Sequence, residues 1–314
     1  MSLNKIAVFG GSGQLGRSIT SALLGCKKQK FNPISVIPPN EDPSQISGGN
    51  KVDVRKIDLL NASRSDLKRE LEGVDAVVSA LNGKALEAQP LIQDAAADAG
   101  VKRFYPSEYG FHNTYQRPGS DWACYHPMWV QKSHLTDQAL LHPAIEAGKM
   151  SYTLIGCGDF YNQDREPVWC PWTQKDPPQG KYTFHVIGSP DAKADYTHID
   201  DFAEYLVATL CEPQKSENAH LNFVSDTISH REIADLLEAA SRKKVELEMY
   251  SQEDKHRVVA DPESAPEELK TASPFPVDFW YLVKGAQGLG QFRRPKGQIH
   301  NHMFPNVKLS LIHI

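Results

Sequence analysis

Apolar positions along the N-terminal half of the chain alternate between two periods. Ile6, Ala7, Val8 and Phe9 form an unbroken run, the pattern of a strand covered on both faces, and Leu15, Ile19, Ala22 and Leu23 then recur at helical spacing. A second strand is read over 31–40, ended by Pro38 and Pro39. Residues 51–60 read as a third, closing at Asp58 and Leu59, with a helix over 64–72. The nearly all-apolar stretch 75–81 is a fourth strand, and 86–99 a helix stopped by Gly100. A fifth strand is expected over 101–107, a helix over 127–141 and a sixth strand over 151–156.

This alternation predicts an α/β fold, a Rossmann-type doubly wound parallel sheet. After Gly156 the pattern changes. Residues 161–195 are rich in Pro and Trp, with hairpin-like strands at 181–187, and 195–201 reads as the cap of a helix running to Cys211. Ser229 to Glu232 spells a capping box opening a helix to Ser241, and 245–250 reads as a strand. From Asp254 onward the periodicity fades, which predicts a loop-rich α+β lobe. The expected division is a dinucleotide-binding domain over 1–155, to which 195–226 return, and a smaller substrate-binding lobe over 156–314.

Between the first strand and helix stand Gly10, Gly13 and Gly16. The first suits a sharp exit from the strand, the second lets backbone amides approach a pyrophosphate, and the third lets the helix lie close to the sheet. The helix start then adds N–H donors and a partial positive charge. Glycines alone also suit a plain tight turn, but the strand before and the helix after them supply the context of a phosphate cradle.

Charge narrows the partners. Against 34 Lys and Arg stand 39 Asp and Glu, a net charge of −5 without long blocks, so neither nucleic acid nor a membrane surface is expected as a partner. The first strand begins close to Met1, and the expectation is a cytoplasmic protein. Five cysteines are scattered without CxxC spacing and read as free thiols. His300 and His302 have strand-like metal spacing but lack a third ligand, so no metal site is expected.

The exit of the fifth strand, Pro106 to Gly110, lies at a carboxyl edge, where open parallel sheets bind ligands. Tyr109, Phe111, His112, Tyr115, Trp122, Tyr125 and Trp129 follow at unusual aromatic density. Long loops there commonly form lids. Lys132, next on the helix, is the principal catalytic candidate: its ammonium can donate to a sugar hydroxyl or supply a proton to a developing oxyanion. Tyr109 and Tyr125 are candidate second donors, weighed against packing roles, and His112, His126 and His134 flank the region. Tyr109, Phe111, Tyr125, Trp129, Phe160, Tyr161, Trp169, Trp172, Phe279 and Trp280 are expected to wall a pocket for a planar aromatic substrate; for the last six the alternative is that they fill the second lobe's core.

Gly10 to Gly16, Arg103 to Gly110 (Arg-Phe-Tyr-Pro-Ser-Glu-Tyr-Gly), Lys132, Ala144 to Gly148 and Thr197 to Asp201 together resemble the NmrA-like and isoflavone-reductase-like branch of the atypical short-chain dehydrogenase/reductases. The resemblance implies a reductase of an aromatic or polycyclic phenol, quinone or enone, with NADP(H) favoured over NAD(H). The alternatives it admits are a non-catalytic dinucleotide sensor or a redox-neutral isomerase or dehydratase, and it is compatible with a homodimer. It places Gly10, Ser12, Gly13, Gln14, Leu15 and Gly16 on the pyrophosphate, Asp58 and Leu59 beside the adenine, and Ala80, Leu81, Asn82 and Ser107 along the cofactor. Lys132 falls at the nicotinamide ribose. Two departures stand out. Pro38-Pro39-Asn40 replaces the basic residue usual after the second strand, leaving Arg17 as the nearest phosphate partner, and Met128 stands where ordinary short-chain dehydrogenases carry a tyrosine.

Overall fold

The computed structural model describes residues 2–46, 48–110, 126–163, 167–270 and 275–310. The first elements are β1 (Lys5–Phe9), α1 (Gln14–Gly25), β2 (Asn32–Ile37), β3 (Asp53–Lys56), α2 (Arg64–Glu70) and β4 (Ala76–Ser79). Then come α3 (Gln89–Asp98), β5 (Arg103–Tyr105), α4 (Pro127–Leu140), α5 (Pro143–Glu146) and β6 (Ser151–Cys157). Seven strands form a parallel sheet in the order β10-β6-β5-β4-β1-β2-β3, where β10 is Ala219–Phe223. Strand order reverses at β1, between β2 and β4, which opens a crevice at the carboxyl ends of β1 and β4.

Side chains of β1 alternate between two cores. Ile6 and Val8 pack with Ile19 of α1 and with Phe202 and Leu206, while Ala7 and Phe9 meet Leu67 of α2, Ile92 of α3 and Leu135 of α4 on the other face. Arg103, fully buried, ties β5 to its neighbours: Nε donates to Ser151 Oγ at 2.6 Å and Nη1 to Thr153 Oγ1 at 2.9 Å. The arginine that opens the Arg-Phe-Tyr-Pro-Ser-Glu-Tyr-Gly stretch is thus a cross-strand clamp.

Beyond the sheet lie β7 (Asp159–Phe160), β8 (Tyr182–Ile187), β9 (Lys193–Thr197), α6 (Ile199–Cys211) and α7 (Pro213–Ser216). After β10 follow β11 (Asp226–Ser229), α8 (His230–Ser241), β12 (Val245–Tyr250), α9 (Gln252–Ala260) and α10 (Val277–Gly288). A three-stranded sheet, β11-β9-β7, and a two-stranded one, β12-β8, share an aromatic core with α8, α9 and α10.

Three expectations are corrected here. β8 pairs in parallel with the distant β12, so 181–187 is not part of a hairpin; alternating inward Tyr182, Phe184 and Val186 suit either pairing. Asp195 lies buried in β9, accepting from Thr227 Oγ1 at 2.8 Å and from the Arg294 amide at 2.7 Å, and the ring of His198 caps α6 instead. The region after Asp254 holds two helices rather than loops alone. All of 280–288 in α10 is buried, so that helix has no polar face to produce a helical period.

Candidate functional site

A cavity of about 460 Å³ opens at the carboxyl ends of β1, β4, β5 and β6. Loop residues 13–15, 80–83, 107–110 and 158–160 form its floor, and Met128, Trp129, Gln131 and Lys132 of α4 one wall. Trp169, Phe275, Phe279, Val283 and Phe292 close it from the second lobe.

The glycine turn separates two demands. Gly10 has φ +79°, and a Cβ there would stand 2.6 Å from Ala80 O; at Gly16 a Cβ would stand 2.2 Å from Gly10 O. Both glycines are required by the fold itself. Gly13 is different: it is the N-cap of α1 with φ −65°, and a Cβ would meet only Gly10 O, at 3.2 Å. Among the described residues no side chain caps α1. Its first amides, beside cavity residues Gly13, Gln14 and Leu15, suit a diphosphate without rearrangement. Ser12 belongs to the same turn, and Gln14 Nε2 donates to Asn162 O at 3.0 Å, linking the turn to the second lobe.

Neighbouring loops are held by their own polar groups. Ser107 Oγ donates to Leu81 O at 2.7 Å and the Ser107 amide to Gln89 Oε1 at 2.8 Å, while Asn82 Oδ1 accepts from the Gly83 amide at 2.9 Å. Asp58 lies outside the cavity, accepting from Asn61 Nδ2 at 2.8 Å, and Leu59 packs against the core beneath. One basic residue unnoticed in the sequence reaches the end of β2: Lys56 Nζ donates to Pro39 O at 3.2 Å.

Around Lys132 the surroundings are ionic. Glu108 is buried, and its Oε2 accepts from Thr136 Oγ1 at 2.5 Å, one helical turn along α4 from Lys132. Burial pushes the Glu108 carboxyl up, opposed by the Lys132 charge and the Thr136 bond. Cys157, also buried, has its thiol pushed up to about 12 by desolvation, which leaves it inert.

Several expected residues lie elsewhere. Tyr109 borders the cavity, but its hydroxyl is sealed off, without a partner among the described residues, and its ring meets Phe202 edge-on at 4.8 Å. Burial drives that phenol well above its usual range, so it stays protonated. Trp280 is 2% exposed in the second lobe's core, and its neighbour Phe279 takes the cavity-facing place. Tyr161 turns away to donate to Ser310 O at 3.0 Å. Trp129 and Phe160 do line the cavity. Phe111 and Tyr125, with His112, fall outside the described residues. His126 caps α4, accepting from the Met128 amide at 3.3 Å, and His134 pairs with Gln138. His300 accepts from the Asn222 amide at 3.0 Å, and among the described residues no cluster suits a metal. Glu108 and Asp159 are the site residues that sequence reading passed over, although Glu108 stood inside a quoted motif.

The NmrA-like family model matches residues 2–279. The chain belongs to the NmrA-like family. An isoflavone reductase homolog of Zea mays is 27% identical over 98% of this NmrA-like chain and 96% of its own. A phenylcoumaran benzylic ether reductase of Pinus taeda is 24% identical over 99% and 97%. The leucoanthocyanidin reductase of Vitis vinifera, solved in a binary complex with NADPH, superposes with a TM-score of 0.74 at 15% identity, covering 98% and 96%, and so shares the NmrA-like fold. No helix among the described residues is long and apolar enough to cross a membrane.

Proposed function

We propose that the protein is an NADPH-dependent reductase of a phenolic or polycyclic small molecule. One observation carries this reading: a single aromatic-walled cavity joins an uncapped helix start, with its glycine turn, to the amine-bearing face of α4. A sensor of dinucleotides needs the first feature and not the second. The plant reductases it resembles act on aromatic substrates, as in the phenylcoumaran benzylic ether reductase, and the grape relative binds NADPH.

In this reading the amides of Gln14 and Leu15 hold the diphosphate, while the Gly13 amide closes the turn by donating to Gly10 O at 3.0 Å and Gly10, Ser12 and Gly16 shape it. Asp58 and Leu59 border the adenine, Ala80, Leu81 and Asn82 line the dinucleotide, and Ser107 fixes the loop beneath the nicotinamide half. Lys56 answers the 2′-phosphate that Pro38-Pro39-Asn40 leaves without a basic partner. The dinucleotide, when bound, supplies the hydride. Lys132 donates a hydrogen bond to the ribose hydroxyl and delivers a proton, directly or through water, to the oxygen on which charge develops. Phe160, Trp129, Trp169 and Phe279 exclude water from that oxygen and hold the substrate ring. Consumption of NADPH by the purified protein with a panel of phenolic enones, quinones and benzylic ethers tests the proposal. Binding of NADPH without consumption across the panel would favour the sensor.

A further inference from the structure

Asp159 projects into the cavity just after β6. Its Oδ2 accepts from Gln287 Nε2 at 2.7 Å and from Lys284 Nζ at 3.3 Å, two residues on one face of α10. Both of these bonds go to Oδ2; Oδ1 takes none from the described residues, and Asp159 lines the cavity. Lys284 is 3% exposed at its side chain and lies 5.4 Å above the ring of Trp169, itself a cavity wall.

A lysine so deeply buried is costly unless a carboxylate meets it, and Asp159 does. The pair has no net charge, so it offers a strong acceptor without drawing in a cation. Its position is also fixed in advance. Gly158 has no room for a Cβ, which would sit 2.5 Å from Asp195 O, and a Cβ at Gly288 would sit 1.7 Å from Ile187 O, so both backbone supports are in direct contact with neighbouring strands. A rigid acceptor set among aromatic walls suits a hydroxyl carried on an aromatic ring.

We propose that Asp159, held by Lys284 and Gln287, accepts a hydrogen bond from a phenolic hydroxyl of the substrate and selects free phenols over their methyl ethers. This rests on the reductase reading above. A hydrogen bond to a charged acceptor gives a preference of about tenfold or more.

The test is calorimetric titration of the NADPH-loaded protein with pinoresinol and with its dimethyl ether. The wild-type protein should bind the phenol at least about tenfold more tightly. Asp159→Asn should bring the ratio close to one with NADPH affinity unchanged. The double variant Asp159→Leu/Lys284→Met, which leaves no buried ammonium unpaired, should do the same, and it serves where the single variant folds poorly. Equal binding of phenol and ether by the wild-type protein, or a preference that survives in a folded variant, overturns the assignment of Asp159 alone. Failure of the wild-type protein to bind either compound while it binds NADPH overturns this inference alone; failure to bind NADPH overturns the reductase reading and this inference with it.

Discussion

Thr136 donates to the buried carboxylate of Glu108 at 2.5 Å, and Lys132 stands one turn earlier on the same helix. The loop after β5 and the helix α4 therefore meet through one acidic group. That group faces a hydroxyl at one position and feels an ammonium at the other. Lys132 stands half-buried within the field of that carboxylate, the neighbourhood its proposed role demands.

Glu108→Gln should lower kcat/KM by about tenfold to a hundredfold through loss of the charge that positions Lys132, with little change in NADPH affinity. Burial raises the Glu108 carboxyl, so as pH falls it takes up its proton earlier than an ordinary carboxylate would. Activity of the wild-type enzyme should accordingly decline on the acid side at a pH above the usual carboxylate range, and the glutamine variant should lose that limb. A pH–rate profile with the limb unmoved would assign it to another group.

Two glycines of the turn should respond differently. Gly16→Ala forces a Cβ against Gly10 O and should cost about 1–3 kcal/mol in urea unfolding. Gly13→Ala meets only Gly10 O, at 3.2 Å, a tight contact that a small shift relieves, so it should cost less stability than Gly16→Ala, yet bind NADPH about tenfold or more weakly because the methyl stands where the phosphate approaches. Equal NADPH affinity in Gly13→Ala would displace the diphosphate from this turn.

Cofactor preference should depend on Lys56. Lys56→Ala should raise the KM for NADPH about tenfold and leave that for NADH unchanged, since only the former carries a phosphate at the ribose. A parallel loss with both cofactors would make Lys56 a structural residue at the end of β3.

His230 sets a pH dependence of stability. It is buried, and its pKa is lowered to about 3 by desolvation, with the Lys284 charge adding to the effect. Between that value and the unfolded value of about 6.5 the unfolded chain binds the extra proton, so stability rises with pH across this window, by about 1.4 kcal/mol per unit for one proton. Above it the contribution is complete; below about 3 it is gone. His230→Asn should flatten the slope of unfolding free energy against pH by that one proton. An unchanged slope would show that the ring is not protonated on unfolding.

The N-terminal half was legible because local signals and tertiary demands coincide there. Ile6 to Phe9 are apolar since both faces of β1 are covered, and Gly10 and Gly16 are glycines since their neighbours leave no room for a Cβ. The second lobe was harder to read. Trp280 looked like a pocket wall and Phe279 like its equal, because a helix buried on every side hides which residue faces the cavity. β8 and β12 pair across an intervening stretch that includes α6 and β10, which no local pattern announces. Asp159 and Lys284 meet across 125 positions, so neither residue signals its partner in the sequence.

The most direct measurement follows the reduced-nicotinamide absorbance when the wild-type protein and Lys132→Met are each mixed with NADPH and the phenolic panel. The account predicts oxidation of NADPH with at least one substrate by the wild-type protein and none by the variant, which should still bind NADPH, more weakly. Turnover in Lys132→Met equal to that of the wild-type protein would contradict it.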